Sequence, residues 1–146
     1  MKTSGLFICL LSLGTLFLTS ESRATTYAGQ ACQSESAGLP LSYSTTGATN
    51  TSSSTIWIGC PTVRANDFGT AAVSAVIYFV NDGRTKTCYL DNFNIDIGSL
   101  GVWTSASGVS RLVLPTLSST LAWQPLVLNC SLPSTSKVTG YFFSES

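Results

Sequence analysis

Three kinds of side chain in this sequence have chemistry to offer: cysteines, acids and large aromatics. Cys32, Cys60, Cys88 and Cys130 are spread through the chain with no C-x-x-C pair, and there is no histidine. Thiolate metal sites are built from close cysteine pairs, commonly with histidine, so this spacing points to two disulfides instead. The missing histidine also removes the usual general base for a serine or cysteine nucleophile, which excludes hydrolase triads. Paired carboxylates are the remaining route to glycoside chemistry. The acids beyond the first two dozen residues are Glu35, Asp67, Asp82, Asp91, Asp96 and Glu145, most of them beside turn signals or near the ends. Asp91 and Asp96 form the only close pair, and they read as solvated turn and strand-end residues. The stretch Asp91-Asn92-Phe93-Asn94-Ile95-Asp96 alternates oxygen donors as a calcium loop would, but it lacks the turn glycine and closing Glu of an EF-hand. The wet face of a strand is the plainer reading. No catalytic residue, cofactor site or metal site is expected.

The aromatics point to binding. Trp57, Trp103 and Trp123, with Tyr43, Tyr78 and Tyr89, offer flat amphipathic rings that give large contact area at small entropic cost. A sugar or a protein surface is the partner such rings suit, though packing into the core ranks ahead of either as their role. Trp57 and Trp123 fall out of phase with the cysteine-bearing faces of their strands, so they point outward or into a second layer. Trp103, in Gly101-Val102-Trp103-Thr104, reads as an exposed loop-tip aromatic. Two triplets, Asn50-Thr51-Ser52 and Asn129-Cys130-Ser131, match the glycosylation acceptor pattern; a cysteine inside the second makes it the poorer acceptor.

The elements that must position these residues are strands. Beyond residue 24 no segment keeps a 3.6-residue apolar period, whereas β-branched and aromatic runs recur between Gly, Asn, Asp, Ser and Pro. The runs predict strands over 39–44 and 56–60, and a hairpin of 71–80 and 85–93 turned by Asp82-Gly83. Further strands follow at 109–114, at 121–130 and at 138–143. Val73, Ala75, Ile77 and Phe79 share one face while Val76, Tyr78 and Val80 share the other, as in a central strand covered on both sides. Cys88 and Leu90 lie out of phase with Phe93 and Ile95, so a bulge is expected at Asp91 or Asn92. Pro115 is expected to end its strand, and Pro125 to mark an edge or a bulge. The residues from Ala48 to Ser54 read as an exposed loop. The fold class is therefore all-β: a single antiparallel two-sheet β-sandwich stapled by two disulfides. Phase also pairs the cysteines, because Cys88 rides with Leu90 and Cys130 with Leu126 and Leu128. Cys88–Cys130 and Cys32–Cys60 are the expected bonds.

The first 24 residues stand apart. Lys2 precedes an apolar run from Leu6 to Leu18, and Ser22 and Ala24 flank Arg23 in signal-peptidase spacing. The run is too short for a ~30 Å hydrocarbon core, which takes ~20 residues. The reading is a signal peptide at 1–24, removed with Cys9, and a secreted or periplasmic domain at 25–146 without a membrane anchor. Seven Lys and Arg balance seven Asp and Glu, so no basic field is available to hold a nucleic acid.

One pattern extends over the domain: Cys32, the Asn50-x-Ser52 loop, Cys60-Pro61-x-Val63-Arg64, Val76-x-Tyr78-x-Val80-x-Asp82, Cys88-x-Leu90, Leu128-x-Cys130-x-Leu132-Pro133, and Tyr141. It resembles a loose group of small exported bacterial four-cysteine β-domain proteins. The resemblance implies a secreted, disulfide-bonded β-domain and brings no catalytic or ligand residue with it. The function expected is a non-catalytic surface binding module for a protein or a glycan. The alternative is an envelope-associated structural or adhesin-like subunit, with a small enzyme inhibitor or enzyme ranking below both.

Overall fold

The computed structural model describes residues 23–36, 38–64, 70–94, 99–121 and 125–146. Through them run β1 (Arg23–Ala28), β2 (Gln33–Ser34), β3 (Leu41–Ser44), β4 (Gly47–Asn50), β5 (Ile56–Pro61) and β6 (Thr70–Phe79). They are followed by β7 (Lys86–Asn94), β8 (Ser99–Gly108), β9 (Arg111–Leu121), β10 (Leu126–Leu132) and β11 (Lys137–Glu145). All pairings are antiparallel. One sheet has the order β3-β4-β11-β6-β9, with β1 beside the second half of β11; the other has the order β2-β5-β10-β7-β8. The chain is thus the expected sandwich, with more strands than the turn residues alone mark out; β9 and β11 run longer than expected, and the expected 121–130 strand is replaced by the end of β9 at Leu121 and by β10 from Leu126.

Alternation builds the core, strict in β5 and β10 and shifted in phase by register slips in β9 and β11. In β10, Leu126, Leu128, Cys130 and Leu132 are buried while every intervening residue is partly open, and β5 buries Ile56, Ile58 and Cys60 in the same way. From the opposite sheet come Val73, Ala75, Ile77 and Phe79 of β6, Leu112, Leu114 and Leu117 of β9, and Val138, Tyr141 and Phe143 of β11. Each large aliphatic side chain buried this way stabilises the fold by about 1.5–3 kcal/mol before entropy is counted. Tyr141 is fully buried, and its hydroxyl donates to the Pro61 carbonyl at 2.8 Å, joining the two sheets.

Several expectations change on folding. The 71–80 and 85–93 segments do not form a hairpin: β6 pairs with β11 and β9, while β7 pairs with β10 and β8 in the other sheet. Gly83 has the expected positive φ of 74°, but its turn carries the chain from one sheet to the other. The Asp82 carboxylate closes that corner, accepting hydrogen bonds from the Arg84 N–H, the Ser136 hydroxyl and the fully buried Lys86 ammonium. β6 is central in its sheet, yet Tyr78 and Val80 on its outer side are exposed. β9 runs through Pro115 instead of ending there, because β9 is an edge strand and its pairing to β6 slips at this point. Pro125 lies just before β10, a central strand, so it marks neither an edge nor a bulge; a residue outside the ladder owes it no donor.

The 48–54 loop is also corrected. Gly47–Asn50 is a strand that turns back on β3 through Thr45 and Thr46. Gly47 has φ +132°, and a Cβ there would stand 1.9 Å from the Val138 carbonyl oxygen, so only glycine fits. Asn50 is 0% exposed. Its amide donates to the Ser54 and Leu132 carbonyls at 2.8 Å each, and its Oδ1 accepts from the Ser52 N–H and hydroxyl. This asparagine is structural and presents no acceptor nitrogen to solvent.

Candidate functional site

The site begins with the disulfides. Cys130 stands directly opposite Cys88 in the β10–β7 register, and Cys32 is one step beyond Gln33, which faces Gly59. Both expected bonds form, Cys32–Cys60 and Cys88–Cys130, each with its Cα atoms 4.1 Å apart. All four cysteines point into the core. Because strand side chains alternate, the neighbours of each cysteine must point out of the same sheet.

Two of those neighbours, Tyr89 and Asn129, line one cleft. Asn129, between Leu128 and Cys130, faces Tyr89 on β7 on one side and Gly59 on β5 on the other. Trp57 lies two residues before Gly59, and Trp103 on β8 faces Asp91 of β7. On the outer surface the rings run diagonally: Trp57 to Tyr89 is 5.8 Å between centroids and Tyr89 to Trp103 is 6.1 Å. The residues Glu35, Trp57, Tyr89, Asp91, Trp103 and Asn129 enclose a cleft of about 340 Å³. Trp57 is 40% and Trp103 57% exposed.

Glu35 arrives from outside the ladder and is held there. Its N–H donates to the Trp57 carbonyl at 2.9 Å, and the Trp57 N–H donates to the Ser36 hydroxyl at 3.4 Å. Gly59 makes room for its carboxylate: a Cβ at position 59 would lie 2.7 Å from Glu35 Oε1. Asp91 is only 5% exposed. Burial, and then the nearby Glu35 charge, push its carboxyl above the ordinary 3.8. Asn129 Oδ1 is buried and accepts no hydrogen bond among the described residues. The cleft therefore presents three ring faces and two carboxylates, with no Lys or Arg in its lining.

Of the three tryptophans expected at the surface, Trp57 and Trp103 are brought to this cleft and Trp123 lies outside the described residues. Trp103 is not on a loop tip: it sits within β8, an edge strand whose small and hydroxyl-bearing residues hide its strand character from sequence patterning. Tyr43 and Tyr78 belong to the other sheet. The bulge expected near Asp91 is present, as a register shift between Asp91 and Phe93 against β8. That shift buries both Asp91 and Asn92, so Asn92 is not on a wet strand face. The calcium-loop stretch cannot be followed further, since residues 95–98 lie outside the described residues. No group of three or more metal-binding side chains occurs among the described residues.

No protein-family model and no curated protein matches the chain. Among solved structures, the chain is similar to the CBM36-1 domain of a multidomain xylanase from the hindgut metagenome of Trinervitermes trinervoides. The identity is 11%, the TM-score 0.44, and the match covers 84% of this chain and 96% of that one. It is also similar to the Podospora anserina GH26-CBM35 β-(1,4)-mannanase, at 10% identity and a TM-score of 0.42 over 84% of this chain and 28% of that chain. Likeness at this level says nothing of what the cleft holds, which is read from the cleft's own residues.

Proposed function

We propose that this chain is a non-catalytic binding module that holds a glycan on the outer face of its five-stranded sheet. The observation that carries the reading is the Trp57–Tyr89–Trp103 diagonal over Asn129, with carboxylates at its margin. A pyranose has apolar C–H faces and a hydroxyl periphery. Ring faces match the first, and Glu35 and Asp91 are acceptors for the second. Ser131, Thr87, Ser105 and Ser107 extend the same outer face with hydroxyls, as their register positions require. The site is built on strands locked by two disulfides, so little ordering entropy is spent on binding.

We further propose export, with 1–24 as the signal and 25–146 as the mature domain. Four paired cysteines fit an oxidising compartment, and no helix among the described residues is long and apolar enough to cross a membrane. Cleavage after Ala24 leaves Thr25–Ala28 in place against Phe143–Gly140 of β11.

The test is titration of a panel of neutral and amino oligosaccharides, followed by intrinsic tryptophan fluorescence. At least one is expected to bind and to change the emission. Trp57→Ala or Trp103→Ala should each weaken it by about tenfold or more, the loss typical of a central aromatic anchor. A panel with no binder, or binding untouched by both substitutions, overturns the proposal.

A further inference from the structure

We propose that the cleft selects a cationic saccharide, an amino sugar carrying a free ammonium group. The inference rests on the glycan reading and names the class of sugar.

A neutral sugar leaves the charges of the site unexplained. Two carboxylates converge on one cleft, and one of them, Asp91, is almost wholly buried. Glu35 is exposed to water, but holding the buried Asp91 charge beside it is costly unless a cation joins it. The ion pairs among the described residues are Arg64–Glu145 and Lys86–Asp82, neither of which reaches this face. Among the described residues Glu35 and Asp91 thus have no cationic partner, and the cleft lining supplies none. A ligand ammonium meets that need directly.

The rings lead to the same class. The faces of Trp and Tyr carry negative electrostatic potential and attract cations, most strongly where water is excluded. Trp57, Tyr89 and Trp103 surround the same cleft that the carboxylates border. A small cation such as choline uses the rings and the charges, but has no ring hydroxyls for the hydroxyl-bearing rim. An N-acetylated or neutral sugar uses the rings and the rim and can donate hydroxyls to the carboxylates, but brings no cation to offset their charge. A protonated amino sugar uses all of them.

The experiment compares three probes by calorimetry, at a pH between the titration of the carboxylates and that of the amine. They are an oligomer of glucosamine, the fully N-acetylated oligomer of the same length, and choline. The glucosamine oligomer is expected to bind at least tenfold more tightly than either other probe, with its affinity falling as salt is raised. Glu35→Gln and Asp91→Asn should each erase most of that preference, while Trp103→Ala should weaken both oligomers. Circular dichroism and melting temperature establish that each variant is folded. Equal binding of the two oligomers overturns this inference and leaves the glycan reading standing. Binding of neither oligomer overturns this inference, and the wider oligosaccharide panel then decides the glycan reading; choline binding as tightly as the glucosamine oligomer overturns the saccharide half of the claim. A preference that survives both carboxylate substitutions also overturns it.

Discussion

Tyr89 and Asn129 face each other across β7 and β10 on the outer surface, one residue along from the Cys88–Cys130 disulfide on the inner surface. The same ladder step that fixes the covalent bond thus fixes the floor of the cleft. The Cys32–Cys60 bond does the equivalent for the segments carrying Glu35 and Trp57, each three residues from a bonded cysteine. Core staple and binding face are two sides of one sheet.

Removing the second staple should therefore cost both stability and affinity. Cys88→Ala and Cys130→Ala are each expected to lose about 2–5 kcal/mol in denaturant unfolding, and the double replacement should cost little more than either. Non-reducing peptide mapping should return the fragments 88–130 and 32–60 as the linked pairs.

Gly59→Ala separates the fold from the site. The added methyl meets only the far end of the Glu35 side chain, at 2.7 Å, so the carboxylate must swing away while the strand stays in place. The melting temperature should change little. The preference for the amino sugar over its acetylated form should fall, read by the same calorimetry.

Asn50→Ala should destabilise by about 1–3 kcal/mol, since the Leu132 and Ser54 carbonyls lose their donor and the first of these bonds is buried. Chemical denaturation measures it. Expressed in a eukaryotic host, the folded chain should carry no glycan at Asn50, which mass spectrometry of the corresponding peptide reads directly.

Two carboxyls should give opposite pH signatures. Partial burial alone would raise Asp82, but hydrogen bonds from Lys86, Ser136 and the Arg84 N–H outweigh it and hold the group well below the ordinary 3.8. Its contribution is present above 3.8 and is lost as pH falls through the lower folded value, so Asp82→Asn should be less stable than the parent at neutral pH and not in strong acid. Asp91 is raised, by burial first and by Glu35 second. Its ionised form costs stability at neutral pH, and the cost is relieved as pH falls through the raised value toward 3.8. Asp91→Asn should accordingly be the more stable protein at neutral pH while binding the amino sugar less well, with the stability gap closing in acid. Unfolding free energies across the acid range test both signs.

Much of this molecule was legible in its residues. Period-2 alternation, the even cysteine set and the phase of Cys88 with Leu90 were enough for the sandwich and for both disulfides, because a strand has only two faces. Trp57 was legible as outward for the same reason. The sheet to which β7 belongs was not, since Asp82-Gly83 makes the same tight turn whether the chain folds back on itself or crosses to the other layer. Trp103 was hidden because Ser99–Gly108 has too few apolar residues to show alternation. Glu35 needed tertiary information: it reaches the cleft only through the Cys32–Cys60 bond and the backbone of Trp57. Asn129 was recoverable, because a cross-strand Cys88–Cys130 pair forces residues 89 and 129 to meet on the opposite face.

Both covalent bonds lie in the five-stranded sheet, and the six-stranded sheet has none among the described residues. The two layers are therefore unequal reservoirs of local opening. Amide protons of β10 and β7 should outlast those of β3 and β9 in deuterium, since opening the stapled layer must work against a shortened loop while the other layer can fray from its edges. A partly melted form of this protein would keep the face that bears Trp57 and Trp103, so the last structure to disappear on heating is the one that carries the cleft.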